Sequence, residues 1–166
     1  MEFSEVIKNR YSCRKFKDTP VEPEKIEAIL EAGRIAPTAK NNQPHFIYIM
    51  RSDEALAVVD SVTQCRYGAP VVMVLVYNRD KMFIYPGGKY DGGSEDVSIV
   101  ATQMMLAAED LGLGTCWLNA FDPDQLHEAM KLPENETIVM MLDVGYSDAG
   151  PAPVHFERND LKDIYK

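Results

Sequence analysis

With 166 residues, the chain has the length of one domain that can bury a substantial core, and it is too short for two comfortable ones. We therefore expect a single domain over residues 1–166. The formal net charge of -9 disfavours nucleic acid and anionic membrane surfaces as partners, because both attract clustered Lys and Arg. The opening residues lack a secretory signal and no run approaches the roughly 20 apolar residues of a membrane span, so we expect a cytoplasmic protein.

In the first half of the chain, short apolar runs alternate with segments whose apolar residues recur at helical spacing. The elements predicted here are a short helix capped by Ser4 and ending at Asn9, an extended segment over 10–16, a helix from Pro23 to about Pro37, strands over 45–50 and 71–77, and a helix over 53–64 between them. Both strands are continuous apolar runs, the pattern of strands that are buried on both faces.

The second half contains one glycine-rich stretch and the longest helical pattern. The elements predicted here are an irregular connection over 83–94 (FIYPGGKYDGGS), a helix from Ser94 to Leu111 stopped by Gly112 or Gly114, a helix capped by Asp122 and running to about Lys131, a strand over 137–146, and an arm from Gly150 onward. Strands that alternate with helices predict an α/β or α+β sheet flanked by helices, and the pattern leaves the topology open.

The first candidate site is the segment from Arg10 to Arg14 (RYSCR). An extended backbone places Arg10, Ser12 and Arg14 on one face, with a period of two residues. Two guanidinium groups and a hydroxyl would then converge, a combination that suits a phosphate monoester. A charged surface strand explains the same residues, and their spacing does not separate the two interpretations.

The second candidate site is the polar loop from Ala36 to His45 (APTAKNNQPH), which two prolines delimit between a helix and a strand. Its amide side chains offer donors and acceptors together, as the edge of a flavin or a nucleobase requires. Taken alone, Asn41-Asn42-Gln43 is equally the composition of a turn.

The sequence contains no other recognisable nucleotide-binding, metal-binding or catalytic motif. The segment from Leu111 to Asn119 follows a helix and lacks the third glycine of a dinucleotide-binding fingerprint, and the glycines at 87–88 lack the spacing of a phosphate-binding loop. The three cysteines and three histidines show no disulfide or metal-ligand spacing, so we predict no metal. No Ser-His-Asp arrangement is present. Any reactivity must therefore come from a cofactor.

In this order, the two candidate sites resemble the nitroreductase family, in which an Arg-x-Ser-x-Arg element precedes a Pro-Ser-x-x-Asn-x-Gln-Pro loop. Here the second motif reads PTAKNNQP over residues 37–44. The likeness continues through 96–108, 112–117 and 142–146 to Arg158. It implies an α+β fold (an α/β sandwich) with a central, mostly antiparallel mixed sheet flanked by helices.

The resemblance also implies an FMN site at the interface of a homodimer. Arg10, Ser12 and Arg158 would hold the phosphate of FMN, and Arg14 would approach the pyrimidine side of the ring. The loop would reach the flavin from the neighbouring subunit. The implied cofactor-binding residues are Arg10, Tyr11, Ser12, Arg14, Pro37, Thr38, Asn41, Gln43, Leu118, Asn119 and Arg158, with no catalytic side chain and no metal.

Some positions depart from the family pattern. Thr38 replaces a Ser and keeps the hydroxyl, whereas Lys40 replaces a small residue. Where family members carry Asn or Lys before the second strand, residues 62–67 offer only Gln64 and Arg66. The glycine-rich stretch is either a lid or channel rim over the site or a plain connection.

The activity implied is a ping-pong reaction in which NADH or NADPH reduces FMN, and the flavin passes electrons to a nitroaromatic, a quinone or a similar small acceptor. Three alternatives stay open: a specialised flavin reaction such as reductive dehalogenation or flavin fragmentation, a non-catalytic flavin-binding or regulatory module, and a domain without cofactor in which Arg10 and Arg14 only decorate the surface. The physiological acceptor and the preferred nicotinamide do not follow from the sequence.

Overall fold

Four strands and five α-helices form the protein, seen here in a computed structural model that describes residues 1–166. The strands are β1 (His45–Met50), β2 (Val71–Asn78), β3 (Gly114–Leu118) and β4 (Glu136–Gly145). The helices are α1 (Phe3–Asn9), α2 (Pro23–Arg34), α3 (Asp53–Val62), α4 (Gly92–Asp110) and α5 (Pro123–Met130), with single 3-10 turns at Ala39–Asn41, Pro153–Phe156 and Leu161–Asp163. None of the helices has the length and apolar character that crossing a bilayer requires.

The strands form one antiparallel sheet in the order β1-β2-β4-β3. The segment after α1 adds a short parallel contact at the free edge of β3, where the Cys13 N–H donates to the Thr115 carbonyl at 2.8 Å. The expected α+β sheet, mostly antiparallel and flanked by helices, is therefore confirmed, and the extended conformation predicted for 10–16 brings this segment to the sheet.

Helices cover both faces of the sheet, and β2 shows how the sequence specifies the two layers. Successive side chains of a strand point to opposite faces. Met73 and Leu75 accordingly pack with α2 and α4, whereas Val72 and Val74 join the core beneath α3 and α5. β2 is buried on both faces, as its apolar run predicts.

β1 is not buried on both faces, so that part of the sequence prediction was wrong. It pairs only with β2 and forms the edge of the sheet, and its Phe46 and Ile49 remain 40% and 37% exposed. The apolar run looks the same in sequence because pattern alone does not tell an edge strand from a central one.

The start of α4 also differs from the sequence prediction. The helix begins at Gly92 rather than Ser94, because the Asp91 side chain caps it by accepting from the N–H groups of Gly93 and Ser94. Both glycines are required by close packing: a Cβ at Gly92 would lie 2.3 Å from the Phe83 carbonyl oxygen, and one at Gly93 would lie 2.3 Å from the Tyr77 ring. Of the four glycines that suggested an irregular connection, Gly92 and Gly93 are therefore helical, whereas Gly87 and Gly88 lie in a turn before the helix.

The remaining element boundaries differ by a few residues. Ser4 lies inside α1, and the N-cap position belongs to Glu2, which makes no side-chain capping bond. α2 ends at Arg34 and α3 at Val62, each before the predicted end. The cap at Asp122 is confirmed, since its carboxylate accepts from the Asp124 and Gln125 N–H groups. β3 was not predicted as a strand.

Candidate functional site

A small pocket of about 200 Å³ lies between the segment after α1 and the C-terminal tail. Its lining residues are Arg10, Tyr11, Ser12, Arg14, Ala152, Val154, His155 and Arg158. The three arginines make none of the ion pairs found in the protein, and no carboxylate lines the pocket. Arg158 donates one hydrogen bond, to the Glu157 carbonyl at 2.7 Å. Guanidinium groups without a carboxylate partner, beside a hydroxyl, form a positively charged concavity suited to a phosphate or another oxyanion.

The local fold explains why these side chains converge. The backbone bridge between Ser12 and Thr115 holds the segment against β3, and the side chain of Cys13 is fully buried. The alternation of an extended chain then sends Ser12 and Arg14 to the opposite side. Arg158, which is distant in sequence, enters the same pocket because the tail folds back across it.

Tyr11 connects the two walls of the pocket. Its hydroxyl lies 2.6 Å from Ser147 Oγ and donates to the Ala149 carbonyl at 2.7 Å. Its ring meets the His155 ring edge-on, with 6.2 Å between the centroids. The hydroxyl of Tyr11 is thus engaged with Ser147 and Ala149, and its ring packs against His155 of the tail.

The loop residues predicted to bind the cofactor lie elsewhere on the protomer. Pro37, Thr38, Asn41 and Gln43 do not line the arginine pocket. Pro37 borders a separate, wide groove of about 780 Å³ between α1 and α4. One protomer therefore brings Arg10, Tyr11, Ser12, Arg14 and Arg158 together, and leaves the loop to face another surface.

The loop backbone is strained. Lys40, Asn41 and Gln43 all have positive φ angles, of 53°, 57° and 48°. A side chain in this left-handed region costs on the order of 1 kcal/mol, less for Asn. Four hydrogen bonds inside the loop support it. Two are backbone bonds, from the Asn41 N–H to the Thr38 carbonyl and from the Asn42 N–H to the Ala39 carbonyl, and the other two join Gln43 to Thr38 Oγ1 at 3.1 Å and to the Asn41 carbonyl at 3.2 Å. Strain held in this way is typical of segments that position binding groups.

The segment after β3 offers its backbone more than its side chains. Leu118 is buried in the core beneath α3 and α5. Asn119 is exposed, but its amide is engaged, since Oδ1 accepts from the indole N–H of Trp117 and Nδ2 donates to the Val139 carbonyl at 2.9 Å. Neither residue lines the arginine pocket. Arg66, in the stretch before β2, is also engaged, because it forms a two-pronged pair with Asp60 at 2.6 Å.

The stretch over residues 83–91 forms a small hairpin beside the loop. A bridge between Ile84 and Asp91 closes it, and its three aromatic rings pack edge-on, with centroids 5.0 Å apart for Phe83–Tyr85 and 5.4 Å apart for Tyr85–Tyr90. Lys40 Nζ lies 5.0 Å from the centroid of the Phe83 ring. The glycine-rich stretch is therefore an ordered neighbour of the loop, and a role as a lid or rim remains a hypothesis.

Sequence reasoning missed two buried acids. Asp96, in α4, is 1% exposed; its Oδ1 accepts from the Ala39 N–H at 2.8 Å, and its Oδ2 has no partner. Burial raises the pKa of Asp96 and lowers the pKa of nearby His45, whose Nδ1 is also buried and unpartnered. The available signal was an acid within an apolar helical stripe.

The second buried acid is Asp143 in β4, opposite Val72 and Cys116 in the neighbouring strands. It is fully buried, and neither carboxylate oxygen has a hydrogen-bond partner. Burial raises the pKa of Asp143 to about 8, and Arg66 offsets only part of that effect. The signal in the sequence was a single charge inside the apolar run TIVMMLDVGY.

Comparison with known proteins agrees with this fold. The sequence model of the nitroreductase family matches residues 7–67 and 62–146. A protein of Archaeoglobus fulgidus, provisionally named NADH dehydrogenase/NAD(P)H nitroreductase, is 30% identical over 151 residues, which are 87% of this chain and 85% of that protein. The chain belongs to the nitroreductase family.

Solved structures extend the similarity to three dimensions. A nitroreductase family protein of Clostridium difficile superposes with a TM-score of 0.91 at 35% identity, over 100% of this chain and 98% of that one. A protein of Desulfovibrio desulfuricans, described as a provisional nitroreductase in complex with FMN, superposes with a TM-score of 0.86 at 25% identity, over 99% and 95% of the two chains.

Proposed function

We propose that the protein is an FMN-dependent oxidoreductase that takes electrons from NADH or NADPH and delivers them to a small organic acceptor. The observation that carries the proposal is the pocket in which Arg10, Arg14 and Arg158 converge with Ser12 and meet no carboxylate. Membership of the nitroreductase family, the FMN complex of the Desulfovibrio desulfuricans protein and the name of the Archaeoglobus fulgidus relative support it.

The residues of the pocket suit the phosphate of FMN. Arg10 and Arg158 would donate charge-assisted hydrogen bonds to the phosphate oxygens, and the Ser12 hydroxyl would donate to a remaining oxygen. Each bond to a charged group contributes about 1.5–3 kcal/mol. Arg14 would lie toward the ring, where its charge favours electron density on the pyrimidine side. Tyr11 would keep the two walls together.

When bound, FMN supplies the hydride and electron chemistry. The chain's own residues bind and orient it. Thr38, Asn41 and Gln43 would present a hydroxyl and two amides to the edge of the ring, and the backbone at Leu118 and Asn119 would approach the ring from β3. We propose no catalytic side chain, because the flavin itself would carry the redox chemistry and the residues of the pocket would bind its phosphate.

We propose that the functional unit is a homodimer with two FMN sites, because one protomer does not bring the loop and the arginine pocket together. The surface supports this proposal. Apolar side chains border the groove between α1 and α4, and five large ones in the tail are exposed; the latter are Val154, Phe156, Leu161, Ile164 and Tyr165. Apolar surface exposed on this scale is typical of an interface.

We also propose that residues 1–166 act as one domain, since the helices of both layers pack on the same sheet. The three free cysteines support a reducing, cytoplasmic setting.

The test is an absorbance spectrum of the purified protein before and after anaerobic addition of NADH or NADPH. We expect flavin bands that are lost on reduction, and faster nicotinamide oxidation when a nitroaromatic or a quinone is added. A colourless protein that takes up no FMN would overturn the proposal. Bound FMN that neither nicotinamide reduces would indicate a non-catalytic flavin module, and no acceleration across a broad panel would overturn the choice of acceptor.

A further inference from the structure

Asp96 is a buried acid that the proposed function does not use. It lies in the second turn of α4, with 1% of its surface exposed, and its Oδ2 makes no hydrogen bond. Burial is the largest of the effects on the pKa of Asp96 and raises it, whereas the hydrogen bond from the Ala39 N–H lowers it. The charge of neighbouring Glu95 also raises this pKa, and nearby His45 lowers it. A buried polar group that is only half satisfied needs an explanation, since an apolar side chain would be less costly there.

The only hydrogen bond made by the Asp96 side chain is with the loop over residues 38–43. Most hydrogen bonds made by these residues join two members of the loop itself, such as those from Gln43 to Thr38 and Asn41. The bond from the Ala39 N–H to Asp96 Oδ1, at 2.8 Å, is the one that leaves the loop. It therefore anchors the loop to the longest helix of the protein.

The loop needs such an anchor because its backbone is strained. Lys40, Asn41 and Gln43 all have positive φ angles, and such residues keep that conformation only where their surroundings impose it. Ala39 directly precedes the first of them. A contact that fixes the Ala39 amide therefore fixes the start of the strained turn.

We propose that Asp96 is a positioning residue for the cofactor: its buried carboxylate holds the Ala39 N–H and so keeps Thr38, Asn41 and Gln43 in the one backbone arrangement that presents them to FMN. The proposal rests on the proposed function. It does not make Asp96 a catalytic residue, because the side chain reaches the loop and not the arginine pocket.

The test compares Asp96→Ala and Asp96→Asn with the wild-type protein. Asn keeps an oxygen that can accept from Ala39, whereas Ala does not. We expect Asp96→Ala to raise the dissociation constant of FMN at least tenfold and to speed amide hydrogen exchange at Ala39 in protein without FMN. We expect Asp96→Asn to stay within threefold of wild type in both measurements.

Met104→Ala is the matched control. Met104 is buried on the same helix and belongs to the core beneath α2, so its loss lowers stability without touching the loop. It should leave the exchange rate at Ala39 unchanged. The proposal would be overturned if Asp96→Ala had the FMN affinity and the Ala39 exchange rate of the wild-type protein. It would also be overturned if Asp96→Asn or Met104→Ala showed defects as large as those of Asp96→Ala.

A failure of the proposed function and a failure of the role of Asp96 give different results. If wild-type protein takes up no FMN, the proposed function fails, and exchange at Ala39 still reports whether Asp96 anchors the loop. If wild-type protein binds FMN and the variants behave alike, only the role of Asp96 fails.

Discussion

Asp143 should make the protein less stable as the pH rises, which is the reverse of the usual behaviour of a carboxyl group. The side chain is fully buried without a hydrogen-bond partner, and its pKa is raised to about 8. In the unfolded chain it ionises with a pKa of about 4. Between these two values the native state carries a proton that the unfolded state has lost, so unfolding becomes easier with each unit of pH.

The magnitude follows from the linkage relation. One proton bound in the native state alone lowers the free energy of unfolding by about 1.4 kcal/mol per pH unit. From pH 5 to pH 7 the loss amounts to about 3 kcal/mol, a large part of the stability of an ordinary domain. Asp143→Asn removes the titrating group and leaves the size of the side chain almost unchanged, so it should be free of this loss.

The assay is urea-induced unfolding of wild type and Asp143→Asn at pH 5, 6 and 7, with the same excess of FMN in every sample. We expect the free energy of unfolding of Asp143→Asn, relative to that of wild type, to increase by about 1.4 kcal/mol with each pH unit. Asp163→Asn, which removes an exposed carboxylate of the tail, controls for the change in net charge. A difference between wild type and Asp143→Asn that stays constant from pH 5 to pH 7 would refute the reasoning.

Three further predictions concern the pocket, the packing and a helix cap. Arg158→Ala should raise the dissociation constant of FMN about 10- to 100-fold, because one charge-assisted hydrogen bond is lost. Lys162→Ala, nearby on the tail, should leave the dissociation constant unchanged. Equal FMN affinities of the two variants in a fluorescence titration would contradict this prediction. Gly93→Ala should lower the melting temperature, because its Cβ would lie 2.3 Å from the Tyr77 ring, whereas Gly150→Ala meets no atom within 4 Å and should be neutral. Asp122→Ala should cost about 1 kcal/mol in urea unfolding by removing the cap of α5, and unchanged stability would show that the cap contributes nothing.

The sequence predicts the interior elements of this fold well, because burial on a strand or helix leaves a periodic pattern. The β2 run and the stripe of α4 are examples. Edges and ends are harder. β1 has the same composition as a central strand, and the glycines at 92 and 93 suggest a loop until Tyr77 and Phe83 are seen to leave no room for a Cβ.

The candidate site shows the same division. Arg10, Ser12 and Arg14 could be grouped from their alternation, since an extended chain places them on one side. That Arg158 joins them depends on the folding of the tail, which no local pattern encodes. Asp96 and Asp143 were missed because a single acid in an apolar run becomes informative only when its neighbours, or its lack of partners, are known.

The proposed function depends above all on the arginine pocket binding the phosphate of FMN. The most direct measurement compares the affinities for FMN and for riboflavin, which has the same ring and no phosphate. We predict that the wild-type protein binds FMN at least 100-fold more tightly than riboflavin, as about 3 kcal/mol from the phosphate contacts implies. Equal affinity for the two flavins would contradict the claim.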